Sequence, residues 1–590
     1  MTDYRELIRQ AIRARENSYA PYSGFYVGAA LQAAGRRDGK PVIFTGCNVE
    51  NAAFSPTNCA ERTAFFKAVS EGVRTFTAIA IVGGGQGSPS SYAMPCGVCR
   101  QVMMEFCSPD TFEIIAAVSE EDYKVYRLKD LLPGAFGPDS LQPYGFIGKQ
   151  WRKKREVKTR FYNARIMAME RDCSIIMGEL WVDGDTILYV GDGRDREEFC
   201  EKKGLREPAW DQEIDCEGNV LMPGFKNAHT HSAMVAMRSF ADDMPLQEWL
   251  NTKIFPLEAK MTDQDNYDLT QLAILEYLTT GVTAIFDMYL SPEYIAKACM
   301  DMGMRCVLVS GLNKFGPALS VMEERFQKLN GLHPLISYCM GVHAEYTCSR
   351  ELLEQVSEMI HKYQTPFFAH MSETKLETEE CVERYGMTPP ALFDSLGLFD
   401  FGGGGYHCVY FTEEDMELFA KKGLHVITNP ASNAKLASGV APLTRFLEKG
   451  ISVGIGTDGA SSNNCLDMFR EMFLATALAK LRDGNASAMP PAQVLRMACS
   501  NGARAMGLRD CDMLAEGKKA DLIMIDLHQP NMQPLNNIPD NIVYSGSKQN
   551  VKLTMVGGRI LYQDGRFLCC DDAEKVYAKA NEIIARLSQA

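Results

Sequence analysis

Leu221-Met222-Pro223-Gly224-Phe225-Lys226-Asn227-Ala228-His229-Thr230-His231 is a largely apolar run that ends in two histidines one residue apart. An extended segment sends alternate side chains to the same face, so His229 and His231 point the same way from a strand end. Seven more strand-like runs follow, at Val282–Asp287, Cys306–Ser310, Leu335–Val342, Phe367–Ala369, Gly405–His407, Leu424–Thr428 and Ile451–Gly456. Amphipathic stretches of helical length separate most of them. Eight strands alternating with helices predict a (β/α)8 barrel. His370 ends the fifth run, His407 the sixth, and Asp458 the eighth. Barrel enzymes build their active sites at this end of the strands.

Three imidazoles and a carboxylate, His229, His231, His370 and Asp458, suit one divalent metal and leave room for water. His407 is expected close by. Glu373 lies three residues past His370, within reach of the site, and a carboxyl there can deliver a proton to a ring nitrogen. Asp458 can both bind the metal and accept the water's proton. A solitary histidine is usually a core or surface residue, which is the reading for His333, His361, His425 and His528. It fails for a set that all ends barrel strands.

All nine histidines lie beyond residue 228, so a metal site upstream must use other ligands. Cys59-Ala60-Glu61 and Pro95-Cys96-Gly97-Val98-Cys99 supply them. Helices are predicted to open near Cys59 and near Cys96, and helix N-termini favour thiolates. Three thiolates leave one zinc position for water, and Glu61 can shuttle that water's proton. Zinc deaminases pair an HxE triplet with PCxxC, and here cysteine replaces the histidine. A closed four-thiolate zinc, with Cys47 or Cys107 as fourth ligand, is disfavoured by the triplet ahead of PCxxC. Around these residues, a helix from Tyr4 to Ser18, strands at Gly28–Ala33, Val42–Cys47, Ala78–Val82 and Glu113–Val118, and the two helices predict a compact α/β/α unit.

The chain of 590 residues exceeds one ordinary core. The expected α/β organisation is an α/β/α sandwich at 1–137, a linker at 138–157, and part of a small β-sandwich at 158–222. The barrel follows at 223–510, then the rest of the sandwich with a C-terminal helix at 511–590. The basic run Lys149-Gln150-Trp151-Arg152-Lys153-Lys154-Arg155 reads as solvated linker. A net charge of −14 disfavours a nucleic-acid binder, and no nucleic-acid partner is expected. Nineteen cysteines without a signal peptide point to a reducing cytosol with a few metal ligands among buried thiols. No apolar run reaches about 18 residues, so no membrane span is expected.

Residues 1 to 137 resemble the cytidine deaminases, through Ala20-Pro21-Tyr22-Ser23-Gly24-Phe25, Gly46-Cys47-Asn48-Val49-Glu50-Asn51, Cys59-Ala60-Glu61-Arg62-Thr63-Ala64, Pro95-Cys96-Gly97-Val98-Cys99-Arg100-Gln101 and the Leu131–Gly137 closure. The three-cysteine pattern is similar to the small homotetrameric branch. The resemblance implies that zinc sits on Cys59, Cys96 and Cys99, that Asn48 and Glu50 hold ribose, and that Phe25 packs on the base. It also implies that Arg62 tempers the thiolates and that Phe136 reaches a neighbouring subunit's site.

Residues 158 to 570 resemble the amidohydrolase superfamily, on Pro223–His231, His370-Met371-Ser372-Glu373-Thr374, His407-Cys408-Val409, Asn429-Pro430-Ala431-Ser432-Asn433 and Gly456-Thr457-Asp458-Gly459-Ala460. Within it, Leu246-Gln247-Glu248-Trp249-Leu250 and Pro256-Leu257-Glu258 are similar to the 5′-methylthioadenosine/S-adenosylhomocysteine deaminases. That resemblance implies zinc or ferrous iron in the barrel, Glu258 on the ribose hydroxyls, His343 on the purine nucleoside and Ser462 near the substrate. It implies that His407 orients the water. Users of S-adenosylhomocysteine carry an arginine upstream of the position of His343. Here Gly316–Met322 has none before Arg325. The expectation is a cytoplasmic, homo-oligomeric (dimer or tetramer) deaminase of cytidine and of an adenine nucleoside. The alternatives are a guanine deaminase or other amidohydrolase in the barrel, or one half that is a non-catalytic scaffold.

Overall fold

The computed structural model describes residues 4–37, 40–53, 56–132, 157–170, 172–204, 208–314 and 316–589. Phe136 and the basic run 149–155 lie outside them. The chain divides into two compact units, Met1–Lys149 and Gln150–Ala590.

In the first unit, helix α1 (Arg5–Arg15) precedes strands β1 (Tyr26–Arg37) and β2 (Lys40–Cys47). Helix α2 (Ala60–Ser70), β3 (Phe76–Gly84), helix α3 (Gly97–Phe106), β4 (Glu113–Ala117) and β5 (Tyr123–Arg127) follow. The sheet order is β2-β1-β3-β4-β5, with only the β3/β4 pair parallel. Alternation along the central strands gives the sheet two buried faces. Leu31, Ile79, Ile81 and Ile114 pack on one side with Phe65 of α2 and Met103 of α3, while Ala30, Ala80, Val82 and Ile115 pack on the other with Leu7, Ile8 and Ala11 of α1. Gly46 lets β2 approach α2 closely, because a Cβ there would meet the backbone of Ala60 and Ala64. The glycine thereby seats the helix that opens at Cys59.

The second unit holds two sheets. The first is built from β6 (Lys158–Ile166), β7 (Ile176–Asp183), β8 (Thr186–Gly191), β9 (Gln212–Asp215) and β10 (Val220–Pro223), which precede the barrel. It is completed by β19 (Leu522–Ile525), β20 (Val551–Val556), β21 (Arg559–Gln563) and β22 (Arg566–Phe567), which follow it. The order is β22-β21-β20-β19-β10-β6-β7-β8, with β9 on β6. Phe161, Leu180, Leu221, Leu522 and Leu553 share one core across the two segments.

The barrel is β11 (Phe225–Thr230), β12 (Val282–Asp287), β13 (Arg305–Val309), β14 (Ile336–Ala344), β15 (Phe367–Met371), β16 (Gly403–His407), β17 (His425–Thr428) and β18 (Ser452–Ile455), paired parallel in chain order. Ala228, Phe286, Val309, Phe368, Tyr406 and Ile427 fill its interior. The seam between last and first strands is drawn shut just beyond β18, where the Asp458 N–H donates to the His229 carbonyl at 3.0 Å and the Thr457 N–H to Asn227 Oδ1 at 2.9 Å. Gly456 makes this approach possible, since a Cβ there would sit 2.7 Å from the His229 backbone nitrogen.

The run Leu221–Ala228 is not one strand but two. β10 ends at Pro223 and β11 begins at Phe225. Gly224 N–H donates to Asp521 beside β19, whereas Phe225 N–H donates to Gly281 ahead of β12. The hydrogen-bonding partner changes sheets across a single peptide, and Pro223 has no N–H of its own to hold the first ladder.

Candidate metal centres

Cys59 and Cys96 are the extended residues immediately before α2 and α3, where the helix dipoles favour anionic sulfur. Cys99 lies in the first turn of α3. The three sulfurs fall within 4.8 Å of one another, and the Cys59 and Cys96 sulfurs are 3.8 Å apart. Tetrahedral zinc with bonds of about 2.3 Å separates its sulfur ligands by about 3.8 Å, so the trio fits zinc. Cys47 and Cys107 are not in this cluster among the described residues, and the Cys47 thiol donates to the Asn17 carbonyl at 3.3 Å. A hydrogen bond from Cys99, with Arg62 alongside, lowers the Cys59 thiol to about 5. Arg62 Nη2 lies 4.0 Å from Cys59 Sγ and donates to the Thr57 carbonyl at 2.7 Å. Burial raises Glu61 to about 7, so this carboxyl can take up and release a proton near neutral pH.

Asn48 and Glu50 both grip the loop that carries Phe25. Asn48 Oδ1 accepts from Val27 N–H and its Nδ2 donates to the Phe25 carbonyl, each at 2.9 Å. Glu50 accepts from the N–H groups of Tyr22 and Ser23 at 2.9 and 3.1 Å, and from the Ser23 hydroxyl. Phe25 is 40% exposed, so it is not the core residue its type alone would suggest.

In the barrel, one ligand atom from each of His229, His231, His370 and Asp458 falls within a 4.8 Å cluster, and all four residues are buried. Neighbouring groups set the outward nitrogens. His231 Nδ1 is bonded to the Met288 carbonyl and His370 Nδ1 to the His343 carbonyl, the latter at 2.7 Å, which leaves each Nε2 facing the cluster. Asp458 Oδ1 lies 3.1 Å from His231 Nε2 and 3.5 Å from His229 Nε2. His229 is 0% exposed, yet among the described residues neither ring nitrogen has a hydrogen-bond partner. A buried imidazole left so is costly. A divalent metal on the four residues would take up one of its nitrogens, and His229 lies stacked on Tyr406 at 3.8 Å between ring centroids. Burial alone would raise Asp458, but the adjoining His229 and His231 hold its carboxylate well below the usual range.

His407 Nδ1 is 2.7 Å from Asn433 Oδ1, and its Nε2 is 3.9 Å from Glu373 Oε2. Burial raises Glu373, which accepts from the Ser438 hydroxyl at 3.3 Å. Glu377, in the helix Lys375–Tyr385, holds the Glu373 loop by accepting Ser372 and Glu373 N–H groups at 2.8 Å each. Ser372, His407, Cys408 and Asp458 all have φ between 50 and 68°, so left-handed backbone clusters at the ends of β15, β16 and β18.

His343 ends β14 with its ring 4.8 Å from His370, and burial lowers it to about 4. Burial pushes the Glu258 carboxyl up to about 7, against the neighbouring Tyr289 hydroxyl, which lowers it and lies 3.7 Å from Met261 Sδ. Ser462, expected near the substrate, donates to Asp458 Oδ2 at 2.8 Å. Ser432 donates to the same oxygen at 2.6 Å. Arg325 is paired with Glu293 at 2.7 Å. Sequence reasoning assigned no role to Ser432, Asn433, Tyr289 or Glu377. Ser432 and Asn433 lay inside a quoted motif, and Tyr289 lies two residues beyond a barrel strand.

A parallel eight-stranded barrel with three histidines and an aspartate buried at its strand ends defines a metal-dependent hydrolase. The chain belongs to the amidohydrolase family, whose model matches residues 220–561, and it acts on C–N bonds. The model of the cytidine and deoxycytidylate deaminase zinc-binding region matches residues 1–113, so the first unit is a zinc-binding domain. A 5-methylthioadenosine/S-adenosylhomocysteine deaminase of Desulfitobacterium hafniense is 41% identical over 401 residues, 67% of this chain and 90% of the relative. A 5′-deoxyadenosine deaminase of Methanosarcina mazei is 39% identical over 437 residues, 72% of this chain and 98% of the relative. The solved structure of an adenosine deaminase from Xanthomonas campestris with bound zinc has a TM-score of 0.69 and 29% identity, covering 74% of this chain and 99% of that one.

Proposed function

We propose that the protein is a bifunctional nucleoside deaminase. The first unit hydrolyses the exocyclic amine of cytidine and deoxycytidine, and the barrel does the same for an adenine nucleoside. The observation that carries the barrel reading is the buried His229–His231–His370–Asp458 cluster with Glu373 and His407 beside it. The adenine-nucleoside deaminases among the relatives support it.

Zinc held by the thiolate trio, and zinc or ferrous iron held by the barrel cluster, would make hydroxide available from water near neutral pH. In the first unit Glu61 takes one proton from the water and hands it to the ring nitrogen beside the amine-bearing carbon, then carries the second, from the hydroxyl added to that carbon, to the amine, which departs as ammonia. In the barrel Glu373 protonates the corresponding purine nitrogen, Asp458 takes the water's proton and passes it to the amine, which leaves as ammonia, and the added hydroxyl's proton restores Glu373. His407, fixed by Asn433, orients the water. Glu258 bonds the ribose hydroxyls, and His343 meets the nucleoside. Arg325, engaged by Glu293, is not available to a substrate carboxylate, so S-adenosylhomocysteine gains no large advantage over substrates without its tail. Nineteen cysteines in a large chain fit a reducing cytoplasm, and the three-cysteine pattern fits a dimer or tetramer. Among the described residues no helix is long and apolar enough to cross a membrane.

The test is kcat/KM for cytidine, adenosine, 5′-deoxyadenosine, 5′-methylthioadenosine, S-adenosylhomocysteine, adenine and guanine. The nucleosides should be turned over and free adenine should be poor. Glu258→Ala should lower kcat/KM for 5′-methylthioadenosine about 10- to 150-fold, the loss of a charge-assisted hydrogen bond of roughly 1.5–3 kcal/mol. A preference for guanine, or no loss in Glu258→Ala, overturns the adenine-nucleoside reading.

A further inference from the structure

Glu471, in the helix Met468–Asp483, is fully buried and forms no ion pair among the described residues. A buried carboxylate without a counter-charge is costly, and a similar apolar side chain would pack there more cheaply. What it bonds explains the position. Glu471 Oε2 accepts the Ala431 N–H at 2.9 Å, and Oε1 accepts Asn463 Nδ2 at 2.7 Å. Asn463 Nδ2 also reaches the Thr457 carbonyl at 2.6 Å. Ala431 belongs to the short helix Pro430–Lys435 after β17, and Asn463 ends the short helix Ala460–Asn463 after β18. Each is one residue from a serine that bonds Asp458 Oδ2, Ser432 at 2.6 Å and Ser462 at 2.8 Å. Two residues past Ala431, Asn433 holds His407.

We propose that Glu471 is a positioning residue for the barrel's reaction, clamping the two short helices so that Asp458 and His407 keep their places. This rests on the reading of Asp458 and His407 given above. One carboxylate outside the cluster would then govern both the proton-accepting group and the water-orienting group. Neither is touched by Glu471 itself, and Glu258, the proposed ribose contact, lies elsewhere, at the end of the helix Phe255–Glu258.

The test uses the full-length, metal-loaded protein and the variants Glu471→Gln, Glu471→Leu and Asn463→Ala. Gln keeps the shape but turns a donor toward one of the two N–H groups, and Asn463→Ala opens only one side of the clamp. With 5′-methylthioadenosine, kcat is expected to fall about 10- to 100-fold, as when other groups that orient metal ligands are lost. KM should change little, and Leu should be more damaging than Gln. A chelator should strip one of the chain's two metals faster in all three variants, a readout that needs no substrate. Melting measured alongside separates misplacement from unfolding. An unchanged kcat with an unchanged stripping rate overturns the proposal. So does a loss of kcat that only follows the loss of folded protein. If the parent turns over no adenine nucleoside, the functional reading fails, and the stripping rate still decides the clamp.

Discussion

Glu258 and Tyr289 show how one side chain's surroundings set when it works. Burial raises the Glu258 carboxyl to about 7, while the nearby Tyr289 hydroxyl favours the ionised form. The proposed ribose contact needs a carboxylate as acceptor. Because the pKa is raised, the carboxyl is neutral below it and ionised above it. The kcat/KM for an adenine nucleoside should therefore rise as pH climbs through about 7. In Tyr289→Phe the limb should move to higher pH, and in Glu258→Gln it should vanish. A pH–rate profile in which neither variant alters the limb would assign it to another group. Such roles were only partly legible beforehand. His229, His231, His370 and Asp458 announce themselves because their residue types have few cheaper uses at barrel strand ends. Ser432, Asn433 and Tyr289 are common residues whose meaning depends on which oxygen or nitrogen they meet, and that is fixed only by packing.

At the scale of elements, the joint between the barrel and the nine-stranded sheet is built around Arg305 and Asp521. Arg305 opens β13 and Asp521 precedes β19, and their side chains pair at 2.6 Å and 2.9 Å with almost no exposure. Burial would raise Asp521, but Arg305 holds its carboxylate below the usual range, and the Gly557 N–H adds a hydrogen bond at 2.7 Å. Asp521→Ala leaves a buried guanidinium unpaired and should destabilise the second unit by about 3–5 kcal/mol. Replacing both partners by apolar residues of similar volume should cost much less. Denaturant unfolding of the single and double variants checks this, and equal losses would deny the pair its strength. The barrel strands were legible because seven of the eight runs are short, apolar and well separated. The eighth hid the joint, since Leu221–Ala228 reads as one apolar run and only hydrogen-bond partners divide it at Gly224. Strand β5 was missed for the opposite reason: Tyr123-Lys124-Val125-Tyr126-Arg127 sits at a sheet edge and lacks an apolar run.

For the whole molecule, two ligand sets without a shared residue predict two activities that separate. Glu61→Ala should abolish cytidine deamination and leave adenine-nucleoside deamination within a few-fold. Glu373→Ala should do the reverse. Assays of both substrates on both folded variants decide it, and a single change that removes both activities would refute independent sites.

The seam of the barrel bears on the order in which the protein is made. His229 and Asp458 stand on opposite lips of that seam, so an ion held by both would staple the ring's first strand to its last. A ribosome therefore delivers His229 and His231 long before the partner they need, and the barrel can capture its ion only when almost the whole ring has emerged. The sulfur trio is complete at Cys99. At elongation rates of about 5–20 residues per second, the first centre is finished roughly 20–70 s before Asp458 is polymerised. With the proposed ligands, one nascent chain would thus draw its two metals from the cell at different times, the thiols first and the imidazoles last.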